Sequence, residues 1–219
     1  MSAPLNQKTL ELLGVVDDVR LLEYPHTFPL ANRPVVHVPT VRMNHRTGKD
    51  DLEIWLRRID QVIAKHKGEN GIIHTVSYAR RNLVMGNSKF RDVMMSHGKR
   101  DTEARIQEFK RKGGVFVSPV VGTGYDFPGT QAEWQIVGKL PYPDTTGKLV
   151  AARCKQDKDY GAYVAMMELV QMSGRIVRSE EDRGVTIVID DSMAWFMPWY
   201  GWMAPGWFKE GFRKNVVIP

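Results

Sequence analysis

Short apolar runs bounded by turn residues recur along this chain, with amphipathic stretches between them. Gly71–Val76, Val115–Val117, Gln135–Leu140 and Val185–Asp190 are mostly apolar and of strand length, and Val35–Val38 and Val93–Ser96 are shorter runs of the same kind. Asp50–His66 places Leu52, Trp55, Leu56, Ile59, Val62 and Ile63 at helical spacing and stops at Gly68. Pro4–Leu13 reads as a short helix, Arg100–Lys110 as another, and Asp159–Val177 as a long one. Apolar strands alternating with helices predict an α/β fold, a mostly parallel sheet with helices on both faces. Sheets of this kind place ligand chemistry in the loops beyond the strand carboxyl ends. Ser77, Tyr78, Ser118 and Gly122–Asp126 all follow predicted strands, so they are expected on one surface.

Two further properties narrow the class. With 219 residues, 42% of them hydrophobic, the chain can bury the core of one domain and carry a tail. Its net charge of +6 is spread among mixed charges, which favours nucleic acid as a partner without a disordered basic arm. Cys154 is the only cysteine, which excludes an intrachain disulfide and an iron–sulfur cluster or cysteine-rich zinc site built from this chain. The six histidines show no metal-ligand spacing, so no metal site is expected. No apolar run approaches a membrane span and no signal pattern opens the chain; a cytoplasmic protein, of a bacterial or phage-infected cell, is expected.

The most specific block is Gln171-Met-Ser-Gly-Arg-Ile-Val-Arg178. Gln171, Arg175 and Arg178 stand at i, i+4 and i+7, which on a helix puts an amide and two guanidiniums on one face. A planar, permanently charged fork suits a phosphate, and two of them suit a polyphosphate. The competing reading is a solvated helix whose arginines pair with Glu180, Glu181 and Asp182. In Gly122-Thr-Gly-Tyr-Asp-Phe-Pro-Gly129 two glycines let backbone approach a ligand, and Asp126 is placed to accept from a ribose hydroxyl. A dinucleotide fingerprint fits poorly there, because the third glycine lies five residues on, behind Pro128. Arg80 and Arg81 suit either nonspecific phosphate contact or plain charge at a helix start. His74, inside an apolar strand, reads as a core histidine.

Taken in order, these blocks resemble the motifs of XPD/DinG-like superfamily-two helicases. Gln171–Arg178, with Gly174 at its centre, resembles motif VI (Q-x-x-G-R-x-x-R). Phe116–Pro143 looks like motif V and the Leu-Pro-Tyr-Pro loop after it, except that the commonly acidic position before Gly124 is Thr123. Gly71–Arg81 resembles motif IV, and Ser2-Ala-Pro-Leu5 resembles motif III with Pro4 in place of threonine. The resemblance implies a second RecA-like motor domain in which ATP binds against a first domain. Arg175 and Arg178 would then be arginine fingers, and Gln171, Gly174, Gly124 and Asp126 nucleotide contacts. Ser77, Tyr78, Arg80 and Arg81, with Ser118 and Thr123, would line a single-stranded DNA track.

No P-loop accompanies these motifs. The Gly-Lys pairs ending at Lys49, Lys99, Lys139 and Lys148 are followed by Asp50, Arg100, Leu140 and Leu149, none of them Ser or Thr. An Asp-Glu-x-His box for Mg²⁺ is also lacking. The chain alone is therefore expected to hydrolyse no ATP, and to need a first RecA-like domain, fused or separate, that brings the P-loop and the Mg²⁺ ligands. The alternative is a stand-alone nucleic-acid-binding or regulatory module without motor activity. By domains, residues 1–192 read as the helicase C-terminal unit, with 1–40 a lead-in from the first motor domain. Residues 193–219 form an aromatic-rich C-terminal segment that holds four of the six tryptophans. Its rings suit packing onto the domain, stacking on bases, or meeting a neighbour.

Overall fold

The computed structural model describes residues 5–15, 19–24, 27–119 and 125–217. Seven strands form one sheet: β1 (Val35–Val41), β2 (Gly71–His74), β3 (Met94–Ser96), β4 (Val115–Ser118), β5 (Trp134–Val137), β6 (Val185–Asp190) and β7 (Phe212–Arg213). Their order is β3-β4-β2-β5-β6-β1-β7, and every neighbouring pair is parallel. Parallel neighbours need crossover connections, which the intervening helices supply. These are α1 (Gln7–Leu12), α2 (Lys49–Lys65), α3 (Tyr78–Asn87), α4 (Thr102–Lys112), α5 (Lys148–Gln156), α6 (Tyr160–Ser173), α7 (Met193–Tyr200) and α8 (Gly206–Gly211).

Side chains alternate across each strand, so each strand feeds two cores. Ile73, Val117, Ile136 and Ile187 pack on Trp55, Ile59 and Val62 of α2 and Val84 of α3. One position earlier, Ile72 and Phe116 turn to the opposite face, where Ile106 and Phe109 of α4 meet them. Val137 and Val188 join α6 and the C-terminal segment on that same side. The expected sheet with helices on both faces is present. Strand β1, which starts within the first forty residues, lies inside the sheet between β6 and β7. The aromatic segment splits: Met193, Phe196, Met203 and Phe208 are buried against the sheet, while Trp199 and Trp202 are exposed. Among the described residues no helix is long and apolar enough to cross a membrane.

Close packing at the start of β2 yields a first expected outcome. Gly71 lies against the buried Trp134, so that a Cβ at Gly71 would come within 2.0 Å of the indole ring. Gly71→Ala should lower stability by about 1–3 kcal/mol or somewhat more, the cost of overpacking a filled core. A urea melt reads this as a fall in midpoint; an unchanged midpoint would mean that Trp134 can swing aside.

Candidate functional site

Strand β2 is expected to run to Val76 but ends at His74. Val76 stands at φ 62°, a left-handed conformation that is costly for a β-branched residue, and it turns the chain out of the sheet. The turn lets Ser77 cap α3, its hydroxyl accepting from the Arg80 N–H at 3.2 Å. Arg80 also reaches across to the Asn44 carbonyl, 3.0 Å from its guanidinium. Arg81 donates to the His97 carbonyl at 2.6 Å and to Ser96 Oγ at 3.2 Å. The guanidinium of Arg81 and the ammonium of Lys99 lie 5.1 and 5.8 Å from the centre of the Tyr78 ring. Ser118, at the end of β4, is held beside this turn by the Thr75 N–H, which donates to its carbonyl at 2.9 Å. Its hydroxyl is fully buried and sits 2.7 Å from His97 Nε2.

Asp190, which no sequence motif singles out, organises the same carboxyl edge. One carboxylate accepts backbone N–H bonds from Met43 at 3.1 Å, Leu140 at 2.9 Å and Ser192 at 2.9 Å. It thereby ties together the loops that leave β1, β5 and β6. Its only signal in the chain is an acid at the end of an otherwise apolar strand. Burial lowers the Lys139 ammonium, the nearby Arg80 lowers it further, and Asp190 opposes both. His74 is a core histidine as expected: fully buried, Nε2 3.0 Å from Gln135 Oε1, and pushed down to about 4 by desolvation, hence neutral at pH 7.

The arginine block departs from its expected geometry. Helix α6 ends at Ser173 with Gly174 as its C-cap, so Arg175 and Arg178 are not on the helix face that carries Gln171. The cause is packing. Ile176 and Val177 are both buried against Phe109 and Phe127, which draws the chain off the helical path after Gly174. Asp126 is engaged with the arginine block, and among the described residues no hydrogen bond or ion pair joins it to Ser77 or Ser118. The segment after β4 runs back across the α4 face, where the Phe127 N–H donates to the Arg175 carbonyl at 3.0 Å and Asp126 forms an ion pair with Arg178. The candidate residues therefore fall into two groups, one at the strand ends and one between α6 and the start of β6. Thr123 and Gly124, as well as Ser2, Ala3 and Pro4, lie outside the described residues.

Within the second group the two arginines differ. Arg175 is only 6% exposed and its guanidinium lies 3.4 Å from the Tyr125 carbonyl; burial pulls its pKa below the ordinary value. The Arg178 side chain keeps 22% of its surface exposed, and its partner Asp126 keeps 48%. Asp182 joins the two segments by accepting from the backbone N–H of Arg178 at 2.7 Å, of Ser179 at 3.0 Å and of Gly129 at 3.0 Å. Burial alone would raise the Asp182 carboxyl, but these bonds together hold it below the usual carboxylate range. Ser179 answers by accepting from the Asp182 N–H, so Ser179-Glu-Glu-Asp182 closes like a capping box, a pattern visible in sequence. Asp182 thus bonds backbone rather than pairing with an arginine side chain.

The family model for the helicase C-terminal domain matches residues 60–211. The probable ATP-dependent helicase MJ0942 of Methanocaldococcus jannaschii is 25% identical over 158 residues, 63% of this chain and 23% of that protein. ATP-dependent helicase DinG of Mycobacterium tuberculosis is 25% identical over 150 residues, 64% of this chain and 23% of that protein. The chain thus spans less than a quarter of the length of these relatives. Among solved structures, Xpd4 of S. tokodaii aligns over 84% of this chain and 38% of its own, with a TM-score of 0.61 and 14% identity. Dbp5 of S. cerevisiae bound to RNA and ADP BeF3 aligns over 99% of this chain and 50% of its own, with a TM-score of 0.60 and 13% identity. At such identities the structural likeness speaks for the fold.

Proposed function

The chain belongs to the helicase C-terminal domain family, in its XPD/DinG-like form, and on that premise we propose that it is the second motor domain of an ATP-dependent DNA helicase. The observation that carries this reading is the Arg178–Asp126 pair, which joins the two segments that resemble motifs V and VI. A guanidinium oriented by a carboxylate and still partly exposed fits a polyphosphate held against this face by another domain. Arg178 is the arginine finger. Arg175, enclosed as it is, positions the 125–127 segment through its carbonyl and guanidinium. Asp126 completes the nucleotide face, Gln171 and Gly174 join it from the end of α6, and Gly124, outside the described residues, is assigned to it by its motif alone. ATP, when bound, would supply the phosphoanhydride to be cleaved, with closure of the cleft following binding and reopening following release of the products. The first RecA-like domain, fused or separate, brings the P-loop and the Mg²⁺ ligands. Among the described residues no group of three His, Cys, Asp or Glu side chains is gathered to hold a metal ion.

The carboxyl edge serves as the DNA track. Tyr78, Arg80 and Arg81 meet the strand, and Ser77 and the buried Ser118 shape the turn that presents them; Thr123, outside the described residues, is assigned to the track by its motif alone. The 1–40 lead-in from the first domain would then overlap β1, which pairs with β6 and β7. Contacts of this kind are mostly to phosphate, so binding should be weak and steeply dependent on salt. A titration of the chain with single-stranded DNA should lose most of its affinity between roughly 50 and 200 mM salt. Salt-independent binding would remove the phosphate track from the reading. ATP turnover is the second arm: none from the chain alone, and DNA-stimulated turnover once a first domain is supplied. A chain that binds DNA but never supports turnover with a first domain is a stand-alone binding module instead.

A further inference from the structure

We propose that the strand-binding edge continues past Tyr78 along α7, where Trp199, one turn beyond Trp195, stacks on a base of single-stranded DNA. This rests on reading the carboxyl edge as the DNA track. Within the C-terminal segment Phe196 and Phe208 are fully buried, yet Trp199 is 72% exposed and Trp202 50%. The core already has its rings, so these two large indoles are not needed to fill it. Their surroundings indicate what covers them. The Arg42 guanidinium lies 5.7 Å from the centre of the Trp195 ring, and Trp195 stands at i−4 from Trp199 on the same face of α7.

Arg42 leads into Met43, whose N–H is held by Asp190; Lys139 leads into Leu140, held by the same carboxylate; and Ser192, the third N–H donor, opens α7. One buried anion therefore aligns two cations with the aromatic helix. Arg80 extends the row towards Tyr78 through its bond to the Asn44 carbonyl. The Asp190 carboxylate is only 1% exposed and is engaged by three N–H bonds; Asp191 beside it keeps 43% of its side chain exposed and lies 3.3 Å from His37. A line of cations ending in open indole faces matches the alternation of phosphate and base along a single strand.

The test uses the 219-residue chain and two fluorescein-labelled strands of about 20 nucleotides, an oligothymidylate and an abasic strand with the same backbone, read by anisotropy at roughly 50 mM salt. Trp199→Ala should weaken oligothymidylate binding by roughly 5- to 150-fold, the equivalent of about 1–3 kcal/mol for one stacked base. It should leave abasic-strand binding unchanged, and Trp199→Tyr should restore most of the loss. Because Trp199 is exposed, the fold should tolerate both changes. Equal affinity of wild type and Trp199→Ala for oligothymidylate, with Tyr78→Ala still weakening it, overturns the stacking role and leaves the track standing. That result would assign the exposed rings to a protein partner. A wild-type chain that binds neither strand overturns the track itself and this extension with it.

Discussion

If the proposed role holds, Arg178→Ala, in the chain combined with a first RecA-like domain, should lower DNA-stimulated ATP turnover by roughly a thousand- to a hundred-thousand-fold. That is the range over which arginine fingers act, equivalent to about 4–7 kcal/mol of transition-state stabilisation. On the proposed reading the charge would meet developing negative charge in a closed, water-poor cleft, where a fixed donor is worth far more than in bulk solvent. DNA affinity should stay within a few-fold, since Arg178 is paired with Asp126 and is not among the residues assigned to the strand. Lysine should rescue poorly because it lacks the planar fork. Asp126→Asn should act in the same direction with a smaller effect, by loosening the partner that aims Arg178. Arg175→Ala should cost turnover as well, but with an accompanying loss of stability, because that side chain is enclosed. Steady-state ATPase beside a DNA titration and a melt separates these outcomes. Wild-type turnover by Arg178→Ala would reduce the Arg178–Asp126 pair to a structural contact and end the finger assignment.

Trp55→Ala should destabilise the domain by about 3–5 kcal/mol, a large share of what a domain of this size has to spare. Trp55 is fully buried on α2 and its indole N–H donates to the Gly138 carbonyl at 2.7 Å. The fit is mutual: a Cβ at Gly138 would lie 2.7 Å from the Trp55 ring. Alanine removes the ring from the core shared with Ile59, Val62 and Ile136, and leaves a buried carbonyl without its donor. Trp55→Phe keeps much of the volume and should lose less. Urea melts read both changes as shifts in midpoint at constant slope. A loss below ~1 kcal/mol for alanine, against the cavity cost expected of a filled site, would mean that the contact between α2 and the sheet is loose.

Elements with strong periodicity are legible in the residues themselves. Val185–Asp190 is a strand with the expected bounds, and α2 differs by one residue at each end because its apolar positions repeat at helical spacing from Leu52 to Ile63. Two further boundaries differ from the expectation, each for a reason that lies outside the local pattern. The apolar pair Ile176-Val177 continues a helical pattern in sequence, yet a core formed by Phe109 and Phe127 takes both residues and ends α6 early. At Val76 nothing local announces a left-handed turn, since no glycine stands there. The turn exists because the backbone must leave the sheet where Ser77 can cap α3.

Residue type and spacing alone determined the alternation of strand and helix, the parallel sheet that follows from it, and the stock of arginines, glycines and acids from which a phosphate-binding face can be made. These depend on interactions within a turn or two of chain, where periodicity and capping chemistry act. Only the tertiary structure decided the strand order, the entry of β1 and β7 at one edge, the meeting of Asp126 with Arg178, and the single carboxylate of Asp190 that aligns three loops. Such contacts join residues far apart in the chain, and their formation depends on which crossovers bury the most apolar surface while leaving no buried N–H or carbonyl unpaired. That condition belongs to the whole domain at once, so no local stretch of the chain carries it.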